Sequence, residues 1–235
     1  MTALSFDMEF DDTKILCAAT CWSNGLINIP HLWISQDAKG FIPLQESALD
    51  AMIDELWKAH QTGVTLVTWG GTGTDWKKLI AACPQHSQRI REMALAAVDL
   101  PLISAAATGM MMGLNATAVG MGIGSRPFCE SENIPHMWNS LDPAKQNDIA
   151  QHVQWDAYAC VSLYNKLHYS AQFGRPQLTW VTQKSGPRSV RLQRIATEEG
   201  FRLPKVQDVL LWDQPIAKFK IPDHLSSSKM IEWLK

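Results

Sequence analysis

The chain has 235 residues, a formal net charge of −2 and 46% hydrophobic residues, which suits one α/β domain with a full core. No stretch approaches the roughly 20 consecutive apolar residues of a membrane helix, and the N-terminus carries carboxylates where a secretory signal carries Lys or Arg. We therefore expect a cytoplasmic protein that contacts no membrane. The five cysteines lack framework or CxxC spacing, which predicts reduced thiols.

Charge is distributed unevenly along the chain. Residues 166–235 hold 12 Lys and Arg against 6 Asp and Glu, a balance of +6, which leaves 9 against 17, or −8, for residues 1–165. A nearly neutral chain binds a polyanion only through such a local basic region. Two interpretations of the basic end stay open: it contacts phosphates, or it is a solvated tail without a partner.

The first predicted elements are three strands. In residues 3–10, apolar and polar side chains alternate, so one face is apolar and the opposite face carries Asp7 and Glu9. Two β-rich runs, residues 13–22 and 26–33, flank Asn24-Gly25, which is the strongest short signal for a hairpin. These patterns predict an antiparallel meander.

Helices and a further strand follow in alternation. Apolar residues recur at helical spacing behind Ser47, which predicts an N-cap and a helix that ends near Gly63. The apolar run 64–69 predicts a buried strand, which stops at a glycine-rich turn, residues 70–73. The turn lacks the order of a phosphate-binding loop, so we expect a tight reversal that directs Asp75 toward the sheet.

The second half of the chain is predicted to be mainly helical. A helix is expected over 75–83, a helical region over 87–120, and a long helix from Asp142-Pro143 to about Tyr169. A less regular C-terminal region follows. Three strands, a helix, a buried strand and further helices predict an α/β fold with a mixed sheet covered by helices on both faces.

Several acidic side chains need an explanation. Asp7 and Glu9 lie about 6.5–7 Å apart on one strand face, where a bound cation or a solvated edge position relieves their repulsion. On the long helix, His152 and Asp156 share the side of the apolar stripe, so they have a buried partner or lie at its edge in water. Asp75 is a further candidate ligand, or simply a helix N-cap.

Three motifs together resemble those of the DEDD exonuclease superfamily: FDMEF at 6–10, TWGGTGTDWKKL at 68–79 and HVQWDAYACVSLY at 152–164. The segment 98–123 is similar to the family's connection between the second and third motifs. The branch that it most resembles is the predicted exonucleases related to the proofreading domain of family B DNA polymerases.

The resemblance implies a ribonuclease H-like fold with a five-stranded mixed sheet over residues 1–172. Residues 173–235 are then a basic extension packed on the same domain. It also implies that two divalent cations, Mg²⁺ or Mn²⁺, are held by Asp7, Glu9, Asp75 and Asp156. His152 is implied as the base. It stands four residues before Asp156, where one branch has Tyr, whereas the other branch has His five residues before.

Contacts with a nucleic acid strand are expected around these motifs and in the basic end. The candidate substrate-binding residues are Met8, Gly71, Trp76, Trp155, Lys184 and Arg188. The two tryptophans either stack on bases or pack in the core. The basic residues either contact phosphates or are solvated. Arg191 and Arg194 belong to the same basic run.

The expected activity is 3'-5' exonucleolytic hydrolysis of single-stranded ends, with DNA favoured over RNA. Two other interpretations stay open. One is a catalytically inactive nucleic-acid-binding or scaffolding domain of the same fold, and the other is an endonuclease.

Overall fold

The computed structural model describes residues 2–108, 111–126, 133–182, 186–210 and 232–234. The first elements in chain order are β1 (Ala3–Phe10), β2 (Ile15–Ser23), β3 (Asn28–Trp33), β4 (Ser35–Asp37), β5 (Gly40–Ile42), α1 (Glu46–Gln61), β6 (Thr65–Thr68), α2 (Asp75–Ala82), α3 (Ser87–Ala96) and β7 (Val98–Asp99). They are followed by α4 (Leu100–Thr108), α5 (Leu114–Gly120), α6 (Ile134–Asn139), α7 (Pro143–Phe173), β8 (Gln177–Thr182), β9 (Gly186–Arg191), β10 (Ile195–Thr197), β11 (Gly200–Arg202) and α8 (Val206–Leu210).

The central sheet has five strands in the order β3-β2-β1-β6-β7. β1 pairs antiparallel with β2, and β2 pairs antiparallel with β3, which confirms the predicted meander. β6 and β7 continue the sheet in parallel with β1. The chain therefore has the expected α/β architecture, and its mixed sheet is consistent with a ribonuclease H-like fold. β1 lies at the centre, where both of its faces are covered.

Two hydrophobic cores fill the two sides of the sheet. The apolar side chains Leu4, Phe6 and Met8 of β1 pack with buried residues of α1, α2 and α3, and we call this group the α1-side core. The opposite face contributes Ala3, Cys17 and Val67 to the α7-side core, which is built around α7. The alternation predicted for β1 is thus confirmed, and Asp7 and Glu9 face α7.

Local capping explains where two helices begin. α7 starts at Pro143, and the Asp142 side chain accepts the Ala144 amide at 3.0 Å, which confirms the predicted N-cap. The helix continues four residues beyond the predicted end at Tyr169. The prediction for Ser47 is wrong, because α1 already begins at Glu46 and Gln45 occupies the N-cap position.

The single helical region expected over 87–120 is also wrong. The two residues of β7 interrupt it, where Val98 and Asp99 pair with Val67 and Thr68. A two-residue strand is too short to show any alternation, so its position is decided by the neighbouring strand rather than by local pattern.

The C-terminal region is more regular than expected. It contains two hairpins, β8 with β9 and β10 with β11. Leu178, Trp180 and Val206 lie in the α7-side core, so this region shares that core. Cys17, Cys21, Cys83 and Cys160 are free and buried, as expected, whereas Cys129 lies outside the described residues. Among the described helices, none combines the length and apolarity needed to span a bilayer.

Candidate metal centre

Asp7 and Glu9 lie on the central strand with small side chains beside them. In the register of β1 and β2, Asp7 is opposite Ala19 and Glu9 is opposite Cys17. Small neighbours leave the two carboxylates room on the face that α7 covers. The pairing of β1 becomes irregular directly after Glu9, between Glu9 and Phe10. Such irregularities re-aim side chains at the end of a strand.

One hydrogen bond ties α7 to the strand at the height of these carboxylates. The Ser5 hydroxyl donates to the Ala157 carbonyl oxygen at 2.6 Å, and both residues are buried. Asp156 is the neighbour of Ala157, and its side chain is turned toward the sheet with an exposed fraction of 6%. Of the two positions that the helical stripe left open for Asp156, buried with a partner or at the edge in water, the structure shows the buried one.

Glu9, His152 and Asp156 form a compact group. One potential ligand atom from each of the three lies within 4.8 Å of the others. The His152 Nε2 atom is 3.3 Å from Glu9 Oε1 and 3.5 Å from Asp156 Oδ2. The imidazole is fully buried, so it bridges two acidic groups that come from β1 and from α7.

Asp75 reaches this region from the far end of the glycine-rich turn. It is the first residue of α2 and is 5% exposed. The turn reverses sharply at Gly70, whose φ of 81° favours glycine. Gly71 lies so close to Thr68 that a Cβ atom would approach Thr68 Cγ2 to 2.8 Å. Both glycines are therefore required by the path of the chain that carries Asp75.

A buried carboxylate that sequence reasoning missed holds the same turn. Asp99, at the end of β7, accepts the amide of Thr72 with Oδ2 at 2.8 Å, and those of Gly70 and Leu102 with Oδ1 at 3.1 Å and 3.3 Å. Its place at the end of the strand next to β6 is the only local hint of this role. Asp99 thus supports the turn that positions Asp75.

The acidic groups perturb one another strongly. Burial, together with smaller contributions from the neighbouring Asp156 and Asp75, raises the pKa of Glu9 to about 8. Burial also raises the pKa of Asp7 well above its usual value, with added contributions from Asp156, Asp75 and Glu9. The pKa of Asp75 is raised to about 7 by burial and by Asp99. Asp7 and Asp75 therefore belong electrostatically to the cluster of Glu9 and Asp156.

Arg126 is the second residue that sequence reasoning missed. Its guanidinium binds both carboxylate oxygens of Asp156, from Nε to Oδ1 at 2.8 Å and from Nη2 to Oδ2. It lies in the wall of a cavity of about 430 Å³ that Asp7, Asp156 and Trp69 also line. No periodic pattern surrounds Arg126, because it lies in a connection between helices, so only the folded chain reveals the pairing.

The structure assigns different surroundings to the candidate substrate-binding residues. Trp76 is 0% exposed and packs edge-on against Phe6 at 4.5 Å between ring centroids, which agrees with the core-packing interpretation and not with base stacking. The Met8 side chain lies in the α1-side core, which leaves only its backbone for substrate. Trp155 is partly exposed, and the Arg126 guanidinium lies over its ring, with 5.7 Å between the guanidinium carbon and the ring centroid. Its role stays a prediction.

The basic residues of the C-terminal region have different roles: one is exposed and another stabilises the end of a helix. Arg188 is exposed on β9, where phosphate contact stays a prediction, and Lys184 lies outside the described residues. Arg194 instead donates to the carbonyl oxygens of Ala171 and Gly174 at 2.9 Å and 2.7 Å. It therefore caps the end of α7, which neutralises part of the negative end of the helix dipole.

The donor set fits a hard divalent cation. Mg²⁺ and Mn²⁺ prefer carboxylate oxygens. Glu9 and Asp156 offer such oxygens in the compact group, Asp7 lines the same cavity as Asp156, and Asp75 is linked to them through its effect on the pKa values of Asp7 and Glu9. Burying such a group is unfavourable unless protons or cations neutralise it.

In comparisons with known proteins, no family model and no curated protein matches this chain.

Proposed function

We propose that this chain is a divalent-metal-dependent 3'-5' exonuclease of the cytoplasm that hydrolyses single-stranded nucleic acid ends, with DNA as the preferred substrate. One observation carries the proposal. Glu9 of β1 and Asp156 of α7, far apart in the chain, meet at His152 in one buried group, and Asp156 and Asp75 raise the pKa values of Asp7 and Glu9 there. The resemblance of the three motifs supplies the reaction class.

The proposed chemistry assigns each residue a task. Asp7, Glu9, Asp75 and Asp156 would hold two cations, and bound Mg²⁺ or Mn²⁺ would polarise the phosphate and lower the pKa of a water ligand. His152 presents Nε2 to Glu9 and Asp156, so its Nε2–H orients both carboxylates. Once cations hold those carboxylates, the ring would carry its proton on Nδ1 and Nε2 would accept a proton from the attacking water. Gly70 and Gly71 keep Asp75 at its position in this arrangement.

The test compares the wild-type protein with Asp7→Asn, which removes one charge but keeps the shape of the side chain. A 5'-labelled single-stranded DNA in Mn²⁺ should give a ladder shortened from the 3' end, and chelation or Asp7→Asn should reduce the rate at least about a hundredfold. Asp12→Asn is the matched control, because Asp12 is exposed on the turn after β1.

Further substrates distinguish the proposed DNA exonuclease from other nuclease activities. A circular DNA should stay intact, and its cleavage would indicate an endonuclease instead. RNA of the same sequence should be shortened more slowly than DNA. A complete absence of shortening in Mg²⁺ and Mn²⁺, with correctly folded protein, would refute the exonuclease proposal.

A catalytically inactive nucleic-acid-binding domain is the second candidate, and one observation favours it. Both oxygens of Asp156 are engaged by Arg126, as in a site where a cation has been replaced by a permanent ion pair. This candidate predicts that the protein binds single-stranded DNA equally well with and without Mn²⁺.

A further inference from the structure

The ion pair between Arg126 and Asp156 lies in the candidate metal centre. Both side chains are largely buried, with exposed fractions of 12% and 8%. The backbone of Arg126 is anchored as well, because its amide donates to Asn115 Oδ1 at 2.8 Å. A guanidinium that binds both oxygens of a carboxylate is the strongest and most directional form of such a pair.

The guanidinium acts on more than Asp156. Its positive charge lowers the pKa of Asp7 and of Glu9, against the larger effect of burial, which raises both. Arg126 is therefore a counter-charge for three carboxylates that the proposed function assigns to cations. His152 is a further basic side chain of this cluster, within ion-pair distance of Glu9 and Asp156.

A guanidinium and a divalent cation compete at this location. A dication at Asp156 would compete for the two oxygens that Arg126 binds, and the two positive charges repel each other in a buried site. Binding of a cation at Asp156 thus requires that Arg126 withdraw from it. The adjoining cavity, lined by Asp7, Trp69 and Asn115, gives the side chain space for this movement.

Once Arg126 is released from Asp156, its guanidinium would lie beside this cavity and could bind the substrate there. Two parallel N–H groups match the oxygens of a phosphate as well as those of a carboxylate. Resting on the proposed function, we infer that Arg126 has two positions: it pairs with Asp156 while the centre lacks metal, and it binds a phosphate of the nucleic acid once cations occupy the carboxylates.

The first experiment measures metal affinity without substrate. Mn²⁺ is titrated into wild-type protein and into Arg126→Ala by calorimetry, and we expect Arg126→Ala to bind Mn²⁺ roughly tenfold more tightly, because no guanidinium has to be displaced. Arg89→Ala is the matched control, since Arg89 pairs with Asp54 at the surface, and it should leave Mn²⁺ affinity unchanged.

The second experiment measures phosphate binding with thymidine 5'-monophosphate as the probe. In saturating Mg²⁺, Arg126→Ala should bind this nucleotide about tenfold more weakly than wild type, as expected for a lost charge-assisted pair. A merely structural role would weaken metal and nucleotide binding together, whereas the two-position role strengthens one and weakens the other.

A third measurement covers the case in which Arg126→Ala does not fold. In wild-type protein, the Nε–H resonance of Arg126, assigned by its loss in Arg126→Lys, should shift when Mg²⁺ is added. Unchanged Mn²⁺ affinity in Arg126→Ala, or an unchanged resonance, overturns the inference and leaves the exonuclease proposal intact. If neither wild type nor Arg126→Ala binds Mn²⁺, both fall.

Discussion

The Glu9 carboxyl combines a central position in a sheet with close acidic neighbours. Its pKa is raised from 4.5 to about 8, so a metal-free protein near neutral pH keeps a proton on this group that the unfolded chain has already released. Protons and divalent cations are alternative ways to neutralise the cluster. The pKa of Asp7 is raised in the same direction, chiefly by burial.

Stability without metal should therefore depend on pH. Between about pH 5 and pH 8 the native state holds more protons than the unfolded state, so the free energy of unfolding falls as pH rises. We expect the thermal midpoint measured in chelator to decrease across this window. In Glu9→Gln the free energy of unfolding should fall less over the same window, by an amount on the order of a few kcal/mol.

Calorimetry or circular dichroism at a series of pH values checks this prediction. Asp12→Asn serves as the control, because this exposed carboxyl should leave the pH dependence as it is in wild type. Burial lowers the pKa of His168, which favours the native state as pH rises, so the comparison between variants isolates Glu9. A slope that is identical in wild type and Glu9→Gln would contradict the assignment.

Among the elements, α5 depends on an unusually close approach to the β8 hairpin. Gly120 ends α5 against β8, where an added Cβ atom would lie 2.6 Å from the Thr179 carbonyl oxygen and from Trp180 Cα. Both are backbone atoms, which cannot move aside as a flexible side chain can. The absence of a side chain at Gly120 thus allows the C-terminal hairpin to pack on the helix that carries Asn115.

Gly120→Ala should destabilise the protein by about 1–3 kcal/mol, because the helix or the hairpin has to shift to relieve the overlap. Urea unfolding measures the change. Gly113→Ala is the matched control at the start of α5, where φ is −71° and a Cβ atom meets nothing within 4 Å, so we expect less than about 1 kcal/mol there. Equal losses in the two variants would show that the close approach is unimportant.

At the scale of the whole molecule, the described C-terminal segment contacts the glycine-rich turn near the candidate metal centre. The Trp233 indole donates to the Thr72 carbonyl oxygen at 3.0 Å, which lies in the glycine-rich turn that precedes Asp75. The Trp233 ring also packs against the α1-side core. The short described segment at the C-terminus therefore supports the turn more than 150 residues away from it in sequence.

Trp233→Ala should lower the free energy of unfolding by about 2–4 kcal/mol, since it removes both packing and the hydrogen bond. Trp233→Phe keeps most of the packing and should cost about 1 kcal/mol. Chemical denaturation distinguishes these values. Phe173→Ala provides the control, because Phe173 is 78% exposed; if it destabilises as much as Trp233→Ala, the proposed contact has no special importance.

Much of the fold was predictable because its signals are local. Alternation along residues 3–10 predicts both the strand and the face that carries Asp7 and Glu9, and Asn24-Gly25 predicts the hairpin. The Asp142-Pro143 pair predicts the start of α7, and its apolar stripe places Asp156 on the core-facing side or at its edge. The hairpins β8–β9 and β10–β11 were not predicted, and the fifth strand, β7, was expected only through the resemblance, since their pairing depends on partners that the local sequence does not name.

For the candidate site, the sequence by itself determined which acidic side chains exist and on which face of a strand or helix each one lies, because periodicity is a property of neighbouring residues. The tertiary structure decided which of them meet. It brought Arg126 to Asp156 and Asp99 to the glycine-rich turn, and it buried Trp76 against Phe6. Distances between residues far apart in the chain are set by how helices pack on the sheet, which no local pattern encodes.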